Sequence, residues 1–288
     1  VVLNDTWQRG LRNFDTALAY EAMTKSANME GTRNLMRPDN DDYLQLGYVP
    51  LREKYDNSVS HALEYYLADW NLAQFAKSMG KKNDYQLFLN RSLNYKHYFD
   101  PETKILRPKL PDGKFLVPFN PSQGANFEDV PGFHEGSAWN YAYYIPHDIK
   151  GLSKLMGGKK KFVDQLQMVF DKGYYDMANE PDIAYPYLFN YFKGEEWRTQ
   201  KEVTRLINKY FTNTPGGLPG NDDCGTMSAW LIYSMMGFYP VCPGDMNYAL
   251  TTPVFDKITI QLDSKYYKSA ELIIEKKSTV TGTAPVQQ

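Results

Sequence analysis

Residues 60–95, SHALEYYLADWNLAQFAKSMGKKNDYQLFLNRSLNY, carry the pattern of two consecutive helices. Apolar side chains recur three and four residues apart, at Leu63, Leu67, Trp70 and Ala73. This spacing places them on one helix face. Gly80 then stands where helices commonly end, and a second amphipathic run follows it. The segment therefore predicts an antiparallel αα-hairpin with a short connection.

Polar residues that favour helix starts precede several of the helical patterns. Ser60 is expected to cap the first hairpin helix, and Asn83 with Gln86 resembles a capping box for the second. Asp15 is expected to cap a helix over residues 16–26. Further helical patterns cover residues 137–144, 162–174, 196–210 and 226–236. The chain is therefore predicted to be mainly α-helical.

The pattern changes from about residue 250. Residues 257–262 alternate between polar and apolar side chains, and residues 270–275 are rich in β-favouring types. We therefore expect a helical domain portion over residues 1–245, followed by a β segment and tail over residues 246–288. Helical pairs followed by strands are typical of a helical toroid with a β appendage.

Composition excludes some classes of function. The chain has 288 residues, 42% of them apolar, and a net charge of −2. This balance argues against nucleic-acid or membrane-surface partners, which require a basic face. The aromatic share of 15% fits a carbohydrate site and a large helical core equally well. Two cysteines, Cys224 and Cys242, cannot form a disulfide framework.

The first of three polar loops, residues 134–139, contains Glu135 directly before a small, apolar helix start. A carboxyl group there can serve as a general acid. The alternative is a first-turn residue that the helix dipole favours.

The second polar loop begins at Asn179 and Glu180, whose oxygens are the ligands that a hard cation prefers. The spacing is not that of an EF-hand, so a calcium site would collect ligands from several loops. The alternative is a polar turn before Pro186.

The third polar loop places Asp222 and Asp223 between glycines, so that a tight turn presents both carboxylates. A metal, a base role or capping of the next helix by Asp223 would each explain the pair. With Glu135 they provide an acid and a base candidate. Inverting glycosidases hold two such carboxyl groups about 6.5–9.5 Å apart, and we expect all three loops to border one cavity.

These loops, in this order, resemble the motifs of glycoside hydrolase family 92. The matching strings are EGSAW at 135–139, IPHD at 145–148, NEPD at 179–182, GNDDCGTMSAW at 220–230 and MGFYPVCPG at 236–244. LEY at 63–65 and DW at 69–70 also match, and the similarity runs from about residue 5 to residue 275.

The resemblance implies part of an (α/α)6 toroid with a short C-terminal β segment, without the family's N-terminal β-sandwich and first helices. It implies calcium-dependent hydrolysis of terminal α-mannosides with inversion. Mannose-containing glycans are the expected partners, and a monomer that is secreted, periplasmic or at the cell surface is expected. The alternatives are a non-catalytic carbohydrate-binding or scaffold fragment and another (α/α)6 enzyme, such as a polysaccharide lyase or a trehalase-like hydrolase.

Carried over by motif, Glu135 is the general acid and the Asp222–Asp223 pair supplies the base. Asn179, Glu180 and Asp223 are the expected metal ligands. The expected substrate-binding residues are Asn179, Glu180, Trp139, Tyr185 and Asn221. Two positions depart from the pattern. Thr226 replaces a glutamine that many members have, and the central loop reads Asn-Glu-Pro where α-1,2-specific members read His-Glu-Pro, which leaves the linkage unassigned.

Overall fold

A computed structural model of the chain describes residues 1–52, 57–124 and 130–276. These residues form two compact units. The first comprises Val1–Asp182 with Cys242–Met246, and the second comprises Ile183–Val241 with the chain from Asn247 onward. The predicted domain boundary at residues 245 and 246 stays a prediction, and the tail beyond residue 276 lies outside the described residues.

The first unit consists of helices and loops. Its α-helices are α1 (Val2–Gln8), α2 (Thr16–Asn28), α3 (Asn40–Leu46), α4 (Ser58–Ser78), α5 (Lys82–Ser92), α6 (Ala138–Tyr141), α7 (Ile149–Met156) and α8 (Lys159–Asp171). Short 3-10 helices occur at Gly31–Arg33, Leu93–Tyr98 and Glu180–Asp182. None of the helices in the described part of the chain combines the length and apolar character needed to span a bilayer.

Helices α4 and α5 form the predicted αα-hairpin. The connection contains Gly80, whose φ of +73° is a conformation that glycine adopts without a Cβ penalty. Phe75 and Ala76 of α4 pack with Phe88 of α5 in a core that also contains Tyr20 of α2. Each of these side chains is at most 8% exposed. Burial of the apolar faces therefore stabilises the hairpin more than intrinsic helix propensity does.

The predicted caps meet different outcomes. Asp15 caps α2, since its carboxylate accepts from the backbone N–H of Leu18. The cap predicted at Ser60 is wrong, because α4 already begins at Ser58. The capping box predicted at Asn83 is also wrong, because Lys81 is the N-cap of α5 and its side chain makes no capping bond. Sequence preference identified both helices but not their first residues.

A buried carboxylate links α3, α4 and α5. Asp69 of α4 is fully buried, and its Oδ1 accepts from Arg37 at 2.9 Å. Its Oδ2 accepts from Arg91 of α5 at 2.7 Å and from the hydroxyl of Tyr43 of α3 at 2.8 Å. With both oxygens bonded to cations or a hydroxyl, the desolvated charge is compensated. Removal of either arginine would leave part of that charge unpaired.

The second unit contains a 3-10 helix (Tyr185–Tyr191), α9 (Glu196–Tyr210), α10 (Thr226–Met236) and four short strands. The strands are β1 (Phe238–Tyr239), β2 (Ala249–Leu250), β3 (Lys257–Gln261) and β4 (Glu271–Glu275), paired antiparallel as β1 with β2 and β3 with β4. Trp230 of α10 is fully buried and donates its indole N–H to the carbonyl of Ile183. The predictions for α9 and α10 are confirmed residue for residue, and those for β3 and β4 to within one.

Candidate active site

Glu135 lies in a strained loop just before a helix. Its φ is +50°, a left-handed conformation that non-glycine residues rarely adopt. The N-cap of α6 is Ser137, so Glu135 precedes the helix and the alternative of a first-turn residue is wrong. Its side chain is 53% exposed, with Nε2 of His134 3.4 Å from its Oε1. Backbone strain at an accessible carboxyl group is typical of functional sites.

A side chain from the second loop holds this strained residue. Asn179 donates from Nδ2 to the backbone carbonyl of Glu135 at 2.8 Å. Gly136 makes this approach feasible, because a Cβ at that position would lie 2.9 Å from Nδ2 of Asn179 and 3.1 Å from Oδ1 of Asn140. Two of the three predicted loops therefore meet directly, and residue 136 must be small for them to do so.

A buried polar network supports the same junction. Asn140 accepts from the backbone N–H and the hydroxyl of Ser137, both at 2.9 Å. Its Nδ2 donates to Oδ2 of Asp182 at 2.8 Å, which also accepts from the backbone N–H of Asp176. Asp182 is fully buried, and burial raises its pKa well above the usual range. The chain Ser137–Asn140–Asp182 thus fixes the segment after Glu135 to the segment after Asn179.

The N-terminal end of α4 fixes the other side of the Glu135 loop. The backbone N–H groups of Val59 and Ser60 donate to the carbonyl of Gly132. The hydroxyl of Ser60 accepts from the N–H of His134 at 2.9 Å, and Tyr141 donates to the carbonyl of His134 at 2.8 Å. Ser60 therefore orders the loop of the candidate acid and does not cap its own helix.

Glu64 is a residue that the sequence analysis did not assign to the site. It lies in α4, and its Oε1 accepts from the hydroxyl of Tyr144 at 2.8 Å. Desolvation raises the pKa of Glu64, and the nearby charge of Glu180 raises it further. A signal was present in the LEY string at 63–65, where an ionisable residue stands between apolar neighbours.

In the third loop, which lies in the second unit, the two carboxylates make different contacts. Oδ1 of Asp222 accepts from the backbone N–H of Ser228 at 2.8 Å, so Asp222 caps α10. The capping predicted for Asp223 is therefore wrong, because only its backbone carbonyl contacts the helix, through Thr226. Asp223 is exposed, with a φ of +43°. It presents its carboxyl group to solvent from a strained turn.

The remaining predicted residues differ in exposure. Asn221 and Glu180 are exposed. Trp139 is 9% exposed, its ring stacks on Tyr174 at 5.3 Å and its indole N–H donates to Ser122. Tyr185 is 1% exposed. Both aromatic rings are packed against protein in this structure, so a role in sugar binding stays a prediction.

Within the first unit, the structure brings Glu135 and Asn179 into contact, and Glu180 directly follows Asn179 in the chain. Asn221, Asp222 and Asp223 lie in the second unit, and the separation of the acid and base carboxyl groups stays a prediction. Within residues 1–52, 57–124 and 130–276, no three His, Cys, Asp or Glu side chains form a metal-binding cluster.

Comparison with known proteins identifies the family. The family model described as the glycosyl hydrolase family 92 catalytic domain matches residues 1–288. The chain is 34% identical to the family GH92 α-mannosidase BT3965 of Bacteroides thetaiotaomicron in complex with mannoimidazole, with a TM-score of 0.82 over 91% of this chain and 36% of that one. It is 28% identical to the family GH92 inverting mannosidase BT2199 of that organism, with a TM-score of 0.83 over 95% and 39% of the two chains.

A curated relative agrees with this assignment. The chain is 28% identical over 299 residues to an uncharacterized secreted glycosidase of Arthroderma benhamiae, which covers 91% of this chain and 37% of that protein. The chain thus spans between 36% and 39% of the length of these three relatives. The predicted fold class, mainly α as part of an (α/α)6 domain with short C-terminal strands, is confirmed. On the full-length match of the family model, this chain belongs to glycoside hydrolase family 92 and represents part of its catalytic domain.

Proposed function

We propose that this chain carries the acid and the base of an exo-acting α-mannosidase that removes terminal α-linked mannose from glycans with inversion. Family membership and the solved mannosidases of similar fold support glycoside hydrolysis. The observation that carries the assignment of roles is Glu135, an accessible carboxyl group in a strained backbone that Asn179 clamps. Positioned acids of this kind are what glycosidic bond cleavage requires.

In the proposed reaction, Glu135 gives its proton to the glycosidic oxygen as the bond from that oxygen to the anomeric carbon breaks. A water attacks the opposite face and loses a proton to a carboxylate. We assign this base role to Asp223, because Oδ1 of Asp222 already accepts from Ser228. The product hydroxyl then has the inverted configuration, since a single displacement occurs.

The donor chemistry fits calcium. Asn179, Glu180 and Asp223 offer carboxylate and amide oxygens, which Ca²⁺ prefers in flexible sets of six to eight. Because the described residues contain no cluster of three ionisable ligands, amide, carbonyl, water or sugar oxygens would complete the set. When bound, the ion would ligate sugar hydroxyl groups and favour the distorted ring of the transition state.

The cellular context and the alternatives follow from the same relatives. The Arthroderma protein is described as secreted, which supports secretion or a cell-surface location here. We expect a monomer that acts on mannose-containing glycans. A non-catalytic carbohydrate-binding fragment remains the second candidate, because the chain spans less than two fifths of its relatives.

A comparison of leaving groups tests the proposal. Glu135→Gln is assayed on an α-mannobioside and on an aryl α-mannoside with a dinitrophenol leaving group. General acid catalysis contributes about 10²-fold or more, so kcat/KM on the mannobioside should fall by at least that factor, with a much smaller loss on the activated substrate. Glu21→Gln, on the exposed face of α2, is the matched control. Equal losses on both substrates would remove Glu135 from the acid role, and no mannose release by the unaltered chain would favour the binding alternative.

A further inference from the structure

Glu64 is the one exposed residue near the start of helix α4. From Ser58 to Leu67 every residue is buried or half-buried apart from Glu64, which is exposed. Its neighbours Leu63 and Tyr65 are 0% and 6% exposed. The side chain of His61, one turn earlier, is 38% exposed. Glu64 and His61 therefore share the accessible side of α4.

A hydrogen bond fixes the carboxyl group of Glu64. Tyr144 donates its hydroxyl to Oε1 at 2.8 Å. Tyr144 is half-buried and lies three residues after α6, in the segment that follows the Glu135 loop. Among the described residues, Tyr144 is the one side chain that hydrogen bonds to Glu64. The acceptor capacity of Oε2 is therefore left for groups from solution.

Glu64 lies close to the loop of the candidate acid. It is one helical turn after Ser60, whose hydroxyl accepts from the N–H of His134, and desolvation raises its pKa. The charge of Glu180 raises this pKa further, whereas the hydrogen bond from Tyr144 and the charge of His61 lower it. Burial raises the pKa of Tyr141 to about 12, and the charges of Glu64 and Glu135 both raise it. Tyr141 donates to the carbonyl of His134, and its ring packs against that of Tyr144 with centroids 6.3 Å apart. The hydrogen-bond partner of Glu64 therefore lies beside the Glu135 loop.

The ligand chemistry follows from this position. A carboxylate accepts hydrogen bonds and donates none, and an unpaired one beside a second carboxylate is unfavourable. Sugar rings carry neighbouring hydroxyl groups that donate to both oxygens of a carboxylate. A hydroxyl-rich, uncharged ring therefore satisfies Glu64 and adds no further negative charge.

We propose that Glu64 binds hydroxyl groups of the terminal sugar during the reaction, with Tyr144 holding its carboxyl group in position. The inference rests on the proposed hydrolase function and names a residue that contacts the substrate beside Glu135. Tyr144 acts through Glu64 and is a positioning residue.

Deoxygenated substrates test this contact directly. The full chain and its Glu64→Gln, Tyr144→Phe and Glu21→Gln variants are assayed on an aryl α-mannoside and its 2-, 3- and 4-deoxy analogues. Loss of a charged hydrogen bond is worth about 1.5–3 kcal/mol, so Glu64→Gln should lower kcat/KM on the parent by about 10- to 150-fold. On the analogue that lacks the contacted hydroxyl, the hydrogen bond is already absent. The kcat/KM values of the unaltered chain and Glu64→Gln should therefore differ by less than about threefold. Tyr144→Phe should lose less than Glu64→Gln, and Glu21→Gln should match the unaltered chain.

The outcomes separate the inference from the proposed function. Equal losses on all analogues, or no loss on any, would overturn direct contact by Glu64. Binding of methyl α-mannoside, followed by ligand-observed NMR, provides a second readout that needs no turnover. The unaltered chain could bind methyl α-mannoside without turning over any substrate. If Glu64→Gln then abolishes this binding, the result supports the Glu64 contact and contradicts only the proposed hydrolase function. Absence of binding to the unaltered chain would count against both.

Discussion

The side-chain amide of Asn179 donates a 2.8 Å hydrogen bond to the backbone carbonyl of Glu135, a residue with a φ of +50°. The contact joins two loops that are 44 residues apart in the sequence. A left-handed glutamate has an unfavourable backbone energy of about 1–3 kcal/mol, which surrounding contacts must offset. Asn179 therefore helps to hold the backbone of the candidate acid in this conformation.

Replacement of Asn179 should impair turnover more than folding. Asn179→Asp removes the donor, and we expect kcat to fall at least about tenfold because small displacements of a catalytic group are costly. The free energy of unfolding should fall by only about 1 kcal/mol, the usual net value of one hydrogen bond. Urea denaturation and steady-state kinetics measure both, with Asn83→Asp on the exposed face of α5 as control. A stability loss without any loss in kcat would contradict this role.

The two adjacent aspartates should respond differently to mutation. Asp223→Asn should lower kcat by about 10²-fold or more, because the base is lost. Asp222→Asn retains an oxygen that can accept from Ser228, so we expect a smaller effect. Asp222→Ala should instead lower the free energy of unfolding by about 1 kcal/mol, as removal of a helix cap does. A larger kinetic loss for Asp222→Asn than for Asp223→Asn would reverse the assignment.

Metal removal should abolish activity. Carboxylate and amide oxygens of Asn179, Glu180 and Asp223 suit Ca²⁺ better than Mg²⁺, which demands strict octahedral geometry. After exhaustive chelation, we expect Ca²⁺ to restore mannose release to a greater extent than Mg²⁺. Glu180→Gln should raise the calcium concentration needed for half-maximal recovery, whereas Glu21→Gln should not. Full activity in the chelated protein would rule out the calcium requirement.

Stability should fall in acid through one histidine. Burial lowers the pKa of His147 from 6.5 to about 4, and its Nε2 lies 3.0 Å from the carbonyl of Ser92. Its folded pKa is depressed, so between pH 6.5 and about 4 the unfolded chain binds more protons and unfolding becomes easier as the pH falls. The loss should approach about 2–3 kcal/mol over this window.

Urea midpoints between pH 7 and pH 4 measure this contribution. His147→Gln should reduce the pH dependence of the free energy of unfolding, because its amide does not titrate. Parallel curves for the unaltered protein and His147→Gln would show that another group governs acid stability.

Local pattern predicted several of the helices and strands, but it missed α3, α7, β1 and β2, and the helix predicted over residues 137–144 is only Ala138–Tyr141. It gave no information on the contacts between loops. Apolar spacing predicted the α4–α5 hairpin and the bounds of α10, because burial of one face determines them. Ser60 was misassigned as a cap, since its hydroxyl accepts from His134, 74 residues away. A capping preference describes the helix that contains the residue and carries no information about a distant loop.

The site residues show the same limit. Motifs identified Glu135 and the aspartate pair, but the left-handed backbone at Glu135 depends on Asn179 and on the absence of a Cβ at Gly136. Capping was predicted for Asp223 but is performed by Asp222, because both residues are acidic and only the turn geometry distinguishes them. Glu64 was missed because an exposed glutamate on a helix is ordinary, and its hydrogen bond with Tyr144 joins residues that are 80 apart in the sequence.

The configuration of the first product tests the central claim most directly. The chain is mixed with an aryl α-mannoside in an NMR tube, and the anomeric proton of the released mannose is followed before mutarotation. A single displacement with Glu135 as acid and Asp223 as base predicts that β-mannose appears first and equilibrates to the α anomer later. Initial release of α-mannose would require a double displacement and would contradict the account.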